Sequence, residues 1–472
     1  MGRALSSIAM IAVAFFAPYA AAALGLTGFA ATAFSFVLQA AAGSILGPKA
    51  GGGGGGVSDS GMLVNKQGNV SAIPIVYGKR RVGGTRIYVE TTDAGGATSG
   101  DEYLHVVLAV AQGGVFSTGD SIKSIDEIRL NDRLAWTSSG GVDSYFSGLL
   151  SVAGWLGGPN QTVTAPNYNT EGNMDWISDD WTTNHRCRGV AFVYLRLKYN
   201  RDKFSGAPTV TFDITGKKIR RVDTLAYTSD ETEIRNPANI IYDYLTSTRY
   251  GKGLPTGDMD LASFQAARTW ANSAGIQFNG AVETSDTIFN NLQQMLVCAN
   301  MNLVFVNGKY SLSPIKQESF TGAFDFNTSN IIGKLTMSLG SKKTRFNSVK
   351  VNFFNPDLGW QADSISIEDA AYLAADSGVV NDKSIELPYC SNQTLAQRVG
   401  RFYLDLSRYQ TIVSFKSSWA ALQLQVGDPV TVTHASPNWT AKQFRVNSIT
   451  LQADSTVDVV LEEYMPDAYY LE

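Results

Sequence analysis

Three histidines, His105, His185 and His434, and three cysteines, Cys187, Cys298 and Cys390, are the side chains here best suited to metal or nucleophilic chemistry. A zinc site gathers such ligands at short, repeated spacings or from converging elements. Neither type recurs at short spacing in this chain, and no CxxC pair is present. An odd number of dispersed cysteines does not describe a disulfide framework, so buried free thiols are expected. There is no GxSxG elbow and no phosphate loop, and the glycine run Gly51–Gly56 lacks the Lys-Ser/Thr that a phosphate loop requires. The carboxylate pairs Asp101-Glu102 and Glu462-Glu463 are chain neighbours and read as solvated turn charges, not as two groups facing one substrate. The expectation is a non-enzymatic chain with no catalytic residues, no metal site and no cofactor.

Three basic clusters stand out: Lys79-Arg80-Arg81, Lys217-Lys218-Ile219-Arg220-Arg221 and Lys342-Lys343-Thr344-Arg345. Phosphate contact is one reading. Salt bridges to other subunits or to neighbouring proteins are the preferred one. The net charge of −4 gives no general attraction to nucleic acid or to anionic lipid.

The elements that must position these residues are bounded first by composition. A chain of 472 residues is expected to form about two to four domains. Charged residues make up 17%, against roughly 25% in ordinary domains. Twenty Tyr, 23 Phe and 45 Gly point to a β-rich protein with many turns.

The chain has no charge from Ala4 to Pro48. Pro18 divides this stretch into a short apolar run, Ile8 to Ala17, and an Ala/Gly-rich run, Tyr19 to Leu46. The second exceeds the ~20 residues that span a bilayer as a helix. Its small residues, Gly25, Gly28, Ala31 and Thr32, suit close helix packing. Ile8, Ile11, Phe15, Phe16, Leu24, Leu26, Phe29, Phe34, Phe36, Leu38, Ile45 and Leu46 are its candidate membrane-facing or lumen-facing side chains. Residues 1–50 are thus expected as an apolar helical arm. Residues 51–61, with Gly51, Gly52, Gly53, Gly54, Gly55 and Gly56, are expected as a flexible tether. A cleaved signal peptide ending near Ala21-Ala22-Ala23 is the competing reading, and it leaves Leu24 to Leu46 without a role.

Beyond the tether, "AIPIVYG", "TRIYVETT", "YLHVVLAVAQG", "GVAFVYLRLKY" and "PTVTFDITG" have strand texture, so residues 62–222 read as a β domain. Its Gly/Ser-rich stretch Thr137 to Gly158 reads as a surface loop or insertion. Residues 223–320 read as an α/β domain. Ile240, Ile241, Tyr244 and Leu245 share one helix face. Leu261, Phe264, Ala267, Trp270 and Ala271 form the stripe of a second helix capped by Asp260. A third helix follows Thr284 or Ser285, with Ile288, Leu292, Met295, Leu296 and Ala299 inward. Asn307-Gly308 then marks a hairpin. Residues 321–472 return to β, with an amphipathic helix through Leu395, Val399, Phe402 and Leu406 and a small terminal barrel.

Four groups of stretches, in this order, resemble the central tail-tip hub, the host-specificity protein J family of lambda-like siphophages. They are "IPIVYGKRRVGG" (Ile73 to Gly84) with "YLHVVLAVAQGGV" and "IDEIRLND", and "RGVAFVYLRLKYNRDKFSGAPTVTFDITGKKI" (Arg188 to Ile219). Next come "NPANIIYDYLTSTRYGKGLP" with the run to "VNGKYSLSP", and "FNSVKVNFFNPDLGWQADSISIED" with "LQVGDPVTVTH". Together they cover roughly residues 65–465.

The resemblance implies a structural virion protein: a homotrimer closing the distal end of the tail, with β-barrel hub domains repeated in each subunit. It implies as partners the distal tail protein, the C-terminus of the tape measure protein and small tail-assembly proteins. DNA passes the lumen without specific nucleic-acid recognition. Lambda-like hubs continue past a "LEEY-P" ending into a receptor-binding tip, where this sequence stops at "LEEYMPDAYYLE". That implies a separate tail fibre or receptor-binding protein. The apolar arm resembles a segment of small tail-assembly proteins; it either plugs the lumen or enters the host envelope at genome ejection. The fold expected is mainly β with α+β: multidomain, repeated β-barrel hub domains plus one α/β domain and an apolar helical N-terminal arm. The alternative is a secreted bacterial β-rich glycan-binding protein with a cleaved signal peptide.

Overall fold

The computed structural model describes residues 63–466, apart from 68–71, 93–101, 115–116, 118, 171–180, 183, 205, 283, 307 and 340–344. The apolar arm and the tether lie outside the described residues. Among those described, no helix is long and apolar enough to cross a membrane.

The first unit packs two sheets face to face. One has six strands in the order Lys66–Gln67, Thr85–Thr92, Tyr103–Gln112, Val190–Lys198, Leu150–Leu156 and Tyr168–Asn169. The other has five: Lys79–Val82, Val210–Lys217, Ile122–Leu130, Arg133–Thr137 and Gly141–Val142. Val106, Leu108, Val193 and Leu195 point into the core between the sheets. Their neighbours Val107, Phe192 and Tyr194 point the other way, under a cover that includes Val163 and Trp181. Burial on both faces explains why these strands read as continuous apolar runs.

The stretch Thr137 to Gly158 is not a surface insertion. Leu150–Leu156 is a buried strand paired with Val190–Lys198 along its length. The glycine and serine content misleads because this strand is crowded. A Cβ on Gly154 would lie 3.3 Å from both Ile125 and Tyr168, so a small residue fits there.

Helices are concentrated in the second unit. Pro237–Thr246 begins with Asn236 accepting from the Ala238 amide and with proline in the first turn, the favoured chemistry for a helix start. Leu261–Ser273 follows Asp260. Ile288–Ala299 is capped by Thr287, whose hydroxyl accepts from the Asn290 amide. The cap is therefore Thr287 and not Thr284 or Ser285; its hydroxyl is three residues from that amide. The hairpin Met301–Val306 with Lys309–Pro314 places Val306 opposite Lys309, and Gly308 has φ +79°.

The core of this unit continues past residue 320. It takes in Val349, Val351 and Phe353, from the three-stranded sheet Gln361–Glu368, Ser348–Asn355, Asp382–Glu386, and Leu395, Val399 and Phe402, from the helix Gln393–Leu406. A separate core fills a curled six-stranded sheet, a half-barrel. Its order is Phe324–Phe326, Pro429–His434, Trp439–Leu451, Val457–Glu463, Ile412–Ser417 and Ile331–Ser338. The two edges of that sheet are consecutive in the chain, joined by the turn at Asn327 to Asn330. The chain is mainly β with α+β, as its texture indicates.

Candidate functional site

The short strand Ile75–Tyr77 pairs with Gly280–Val282 and is fully buried. Its side chains alternate between two cores. Val76 belongs to the β-sandwich, whereas Ile75 and Tyr77 belong to the α/β unit. A two-residue alternation is what a strand imposes, so this segment is the seam between the units. The approach is close: a Cβ on Gly216 would lie 2.1 Å from the Val76 carbonyl oxygen.

The basic residues that follow reinforce the same seam. Arg81 binds Asp213 through two N–H···O contacts of 2.5 and 2.7 Å, and its Nη1 lies 3.4 Å from the Gly359 carbonyl. The bidentate geometry raises the Arg81 pKa. Arg80, 1% exposed, places its guanidinium 3.4 Å from the Phe354 ring centroid and 5.8 Å from that of Trp360. Lys79 and Lys123 lie 3.2 and 2.8 Å from opposite oxygens of Glu231. The hydrogen bond from Lys123 is the main cause that brings Glu231 down to about 2.

Deeper in the seam, Lys217 pairs with Asp120, both nearly inaccessible, and lies 3.3 Å from the Gly113 carbonyl. Asp243, on the first long helix, accepts from Tyr77 Oη at 2.7 Å and Tyr250 Oη at 2.6 Å. Burial raises the Asp243 pKa and holds both tyrosines well above their usual range. Asp120, Lys217, Asp243 and Tyr250 line a cavity of about 230 Å³ with Arg220, Tyr227 and Arg249.

Of the described basic residues, Lys79, Arg80, Arg81 and Lys217 thus make contacts within the chain. In the second cluster Arg220 sits 5.2 Å from the Tyr227 ring and Arg221 bonds Asp223 at 2.5 Å. Lys342 and Lys343 lie outside the described residues. Sequence reading missed the seam because each partner is remote along the chain: Arg81 and Asp213 are 132 residues apart. The available signal was "IVY", apolar on both faces of a short strand.

The residues considered for chemistry are not brought together. His105 is buried between Thr92 and Tyr194, with ring contacts of 2.7 and 2.5 Å, and burial lowers its pKa. His185 stacks on Trp181 with ring centroids 4.9 Å apart, whereas His434 ends a strand of the half-barrel. Cys187, Cys298 and Cys390 are free thiols, the last two buried. Glu462 and Glu463 alternate along Val457–Glu463. Glu463 meets Lys442 at 2.7 Å, while Glu462 lies opposite Arg445 in the register and is raised to about 7 by burial. Among the described residues no three potential metal ligands cluster.

The fold and this seam can be set beside known proteins. A protein family described as "Putative phage tail protein" matches residues 290–449. The baseplate hub protein pb3 of Escherichia phage T5 is 23% identical over 473 residues, covering 84% of this chain and 48% of pb3. The chain thus spans about half the length of the curated relative it matches. A chain in the virion of a native gene transfer agent particle superposes with a TM-score of 0.60 at 14% identity, covering 91% of each chain. By fold and sequence this is a structural protein of the phage-tail class. More particularly, it is similar to a phage baseplate hub protein, and the likenesses to that protein and to a virion chain support a place in the virion tail. The secreted glycan-binding reading is not favoured.

Proposed function

We propose that this chain is a non-enzymatic, trimeric central hub closing the distal end of a siphophage tail. It docks the tail tube to tip and fibre proteins and takes part in host attachment and genome ejection. The observation that carries the reading is the likeness to a baseplate hub protein across 84% of the chain. The seam supports it mechanically. A hub transmits load between tube and tip, and two cores sharing one strand and stapled by Arg80, Arg81 and Lys217 resist shear between units.

The proposed partners are the distal tail protein, the tape measure C-terminus, small tail-assembly proteins and a separate fibre or receptor-binding protein. DNA passes the lumen without specific recognition. In this reading the apolar arm is a lumen plug or enters the host envelope; liposome leakage by tails with and without residues 1–50 separates these two roles. The hub reading itself is tested by native mass spectrometry of purified tail tips together with labelling of the chain in electron micrographs. Three copies at the distal end is the expected result. One copy, six copies or a lateral position overturns it.

A further inference from the structure

The cavity beside the seam keeps two charges that the seam does not neutralise. On its inner side the groups satisfy one another: Lys217 pairs with Asp120, and Asp243 accepts from Tyr77 and Tyr250. Arg220 and Arg249 complete the charged lining. Arg220 ends the short strand Ile219–Arg220, which pairs with Tyr227–Thr228. Its guanidinium carbon lies 5.2 Å from the centroid of the Tyr227 ring. Arg249 follows the helix Pro237–Thr246 and is exposed. With the Gln112 carboxamide oxygen turned toward it, Arg249 Nη2 donates at 2.7 Å. Among the described residues neither arginine has a carboxylate partner.

Three cations therefore face two carboxylates, and the lining is net positive. Burial raises the Asp243 pKa, which reduces the negative charge further. A recess with low-dielectric walls focuses such a field on an entering anion. Guanidinium groups hold carboxylates in strong, charge-assisted hydrogen bonds. Tyr227, raised to about 12 by burial, stays protonated as a further donor. A nucleic acid would need cations spaced along its backbone. The basic residues close by in sequence do not extend the recess into such a track. Lys79 and Lys123 meet Glu231, Arg81 meets Asp213 and Arg221 meets Asp223. A volume of about 230 Å³ suits one acidic side chain.

We infer that this cavity is a socket for a carboxylate on an acidic segment of another tail protein, held by Arg220 and Arg249. That the partner is a tail protein rests on the hub reading; that the ligand is a carboxylate rests on the cavity.

The test titrates the full chain with a blocked hexaglutamate peptide in a calorimeter, beside inorganic phosphate and a single-stranded hexanucleotide. The peptide is expected to bind, and Arg220→Gln and Arg249→Gln each to weaken it by about tenfold. Thr248→Glu, at an exposed position of the lining, should abolish binding by placing a competing carboxylate there. Lys350→Ala removes an exposed charge elsewhere and should leave binding unchanged. No peptide binding, or an equal loss in Lys350→Ala, overturns the inference. Tighter binding of phosphate through the same arginines would show a small-anion site, and preference for the hexanucleotide a nucleic-acid site. Either result overturns the acidic segment as the source. In assembled tails, a benzophenone side chain at Thr248 should crosslink to a different tail protein, at a peptide containing Asp or Glu. Adducts only between copies of this chain, or at peptides without an acidic residue, overturn it. Copy number and position at the tip decide the hub reading and are not read by these measurements, so the two fail separately.

Discussion

The guanidinium carbon of Arg80 lies 3.4 Å from the centroid of the Phe354 ring, although the two residues belong to different sheets and different units. Arg80 is 1% exposed and Phe354 4%. This buried cation–π contact, beside the Arg81–Asp213 fork, locks the sandwich to the three-stranded sheet.

Replacing Arg80 by Ala is expected to lower unfolding free energy by about 2 kcal/mol, through lost packing as well as lost charge. Phe354→Leu should cost less, and the double variant should cost less than the sum. Denaturant melts of the four proteins in a double-mutant cycle measure the coupling. A cycle that sums to zero would show that the contact is incidental.

Lys217→Ala leaves the Asp120 carboxylate buried without its cation. A loss of about 3–5 kcal/mol is expected, the usual effect of breaking a buried pair from one side. Replacing both partners by apolar residues, Lys217→Met with Asp120→Leu, should recover most of it. Thermal unfolding of the single and double variants checks the difference.

Glu462 gives stability an acid-side preference. Its carboxyl is raised from 4.5 to about 7 by burial, so the folded state binds a proton more tightly than the unfolded state. Its contribution is full below about pH 4.5 and is lost as pH rises through about 7. Glu462→Gln should flatten that part of the stability–pH curve. Glu231 acts in the opposite direction. Held down at about 2, it favours folding above about pH 4.5 and loses that effect as pH falls toward 2. At 43% side-chain exposure, its effect is expected to be under about 1 kcal/mol and sensitive to salt.

Gly400→Ala should destabilise the chain by about 1–3 kcal/mol even though alanine is the better helix former. The new Cβ would lie 2.5 Å from methyl groups of both Val351 and Ile367. Val351→Ala in the same chain should recover part of the loss. A stabilised Gly400→Ala protein in a calorimetric melt would show that helix and sheet are not in close contact.

The sequence by itself determined the elements whose information is local. Asn236 followed by Pro237 starts a helix, Gly308 turns a hairpin, and apolar residues three and four apart in Gln393–Leu406 choose its buried face. Such features depend on neighbours within one or two turns, and a linear pattern carries them. The order of longer stretches also carried the hub resemblance. Tertiary structure alone decided where the basic clusters point, that Leu150–Leu156 is an inner strand, and that Ile75–Tyr77 divides its side chains between two cores. Those outcomes depend on partners such as Asp213 and Phe354, more than a hundred residues from the arginines they hold. A charge or a glycine in sequence has no fixed partner; folding supplies one by bringing remote strands within contact distance.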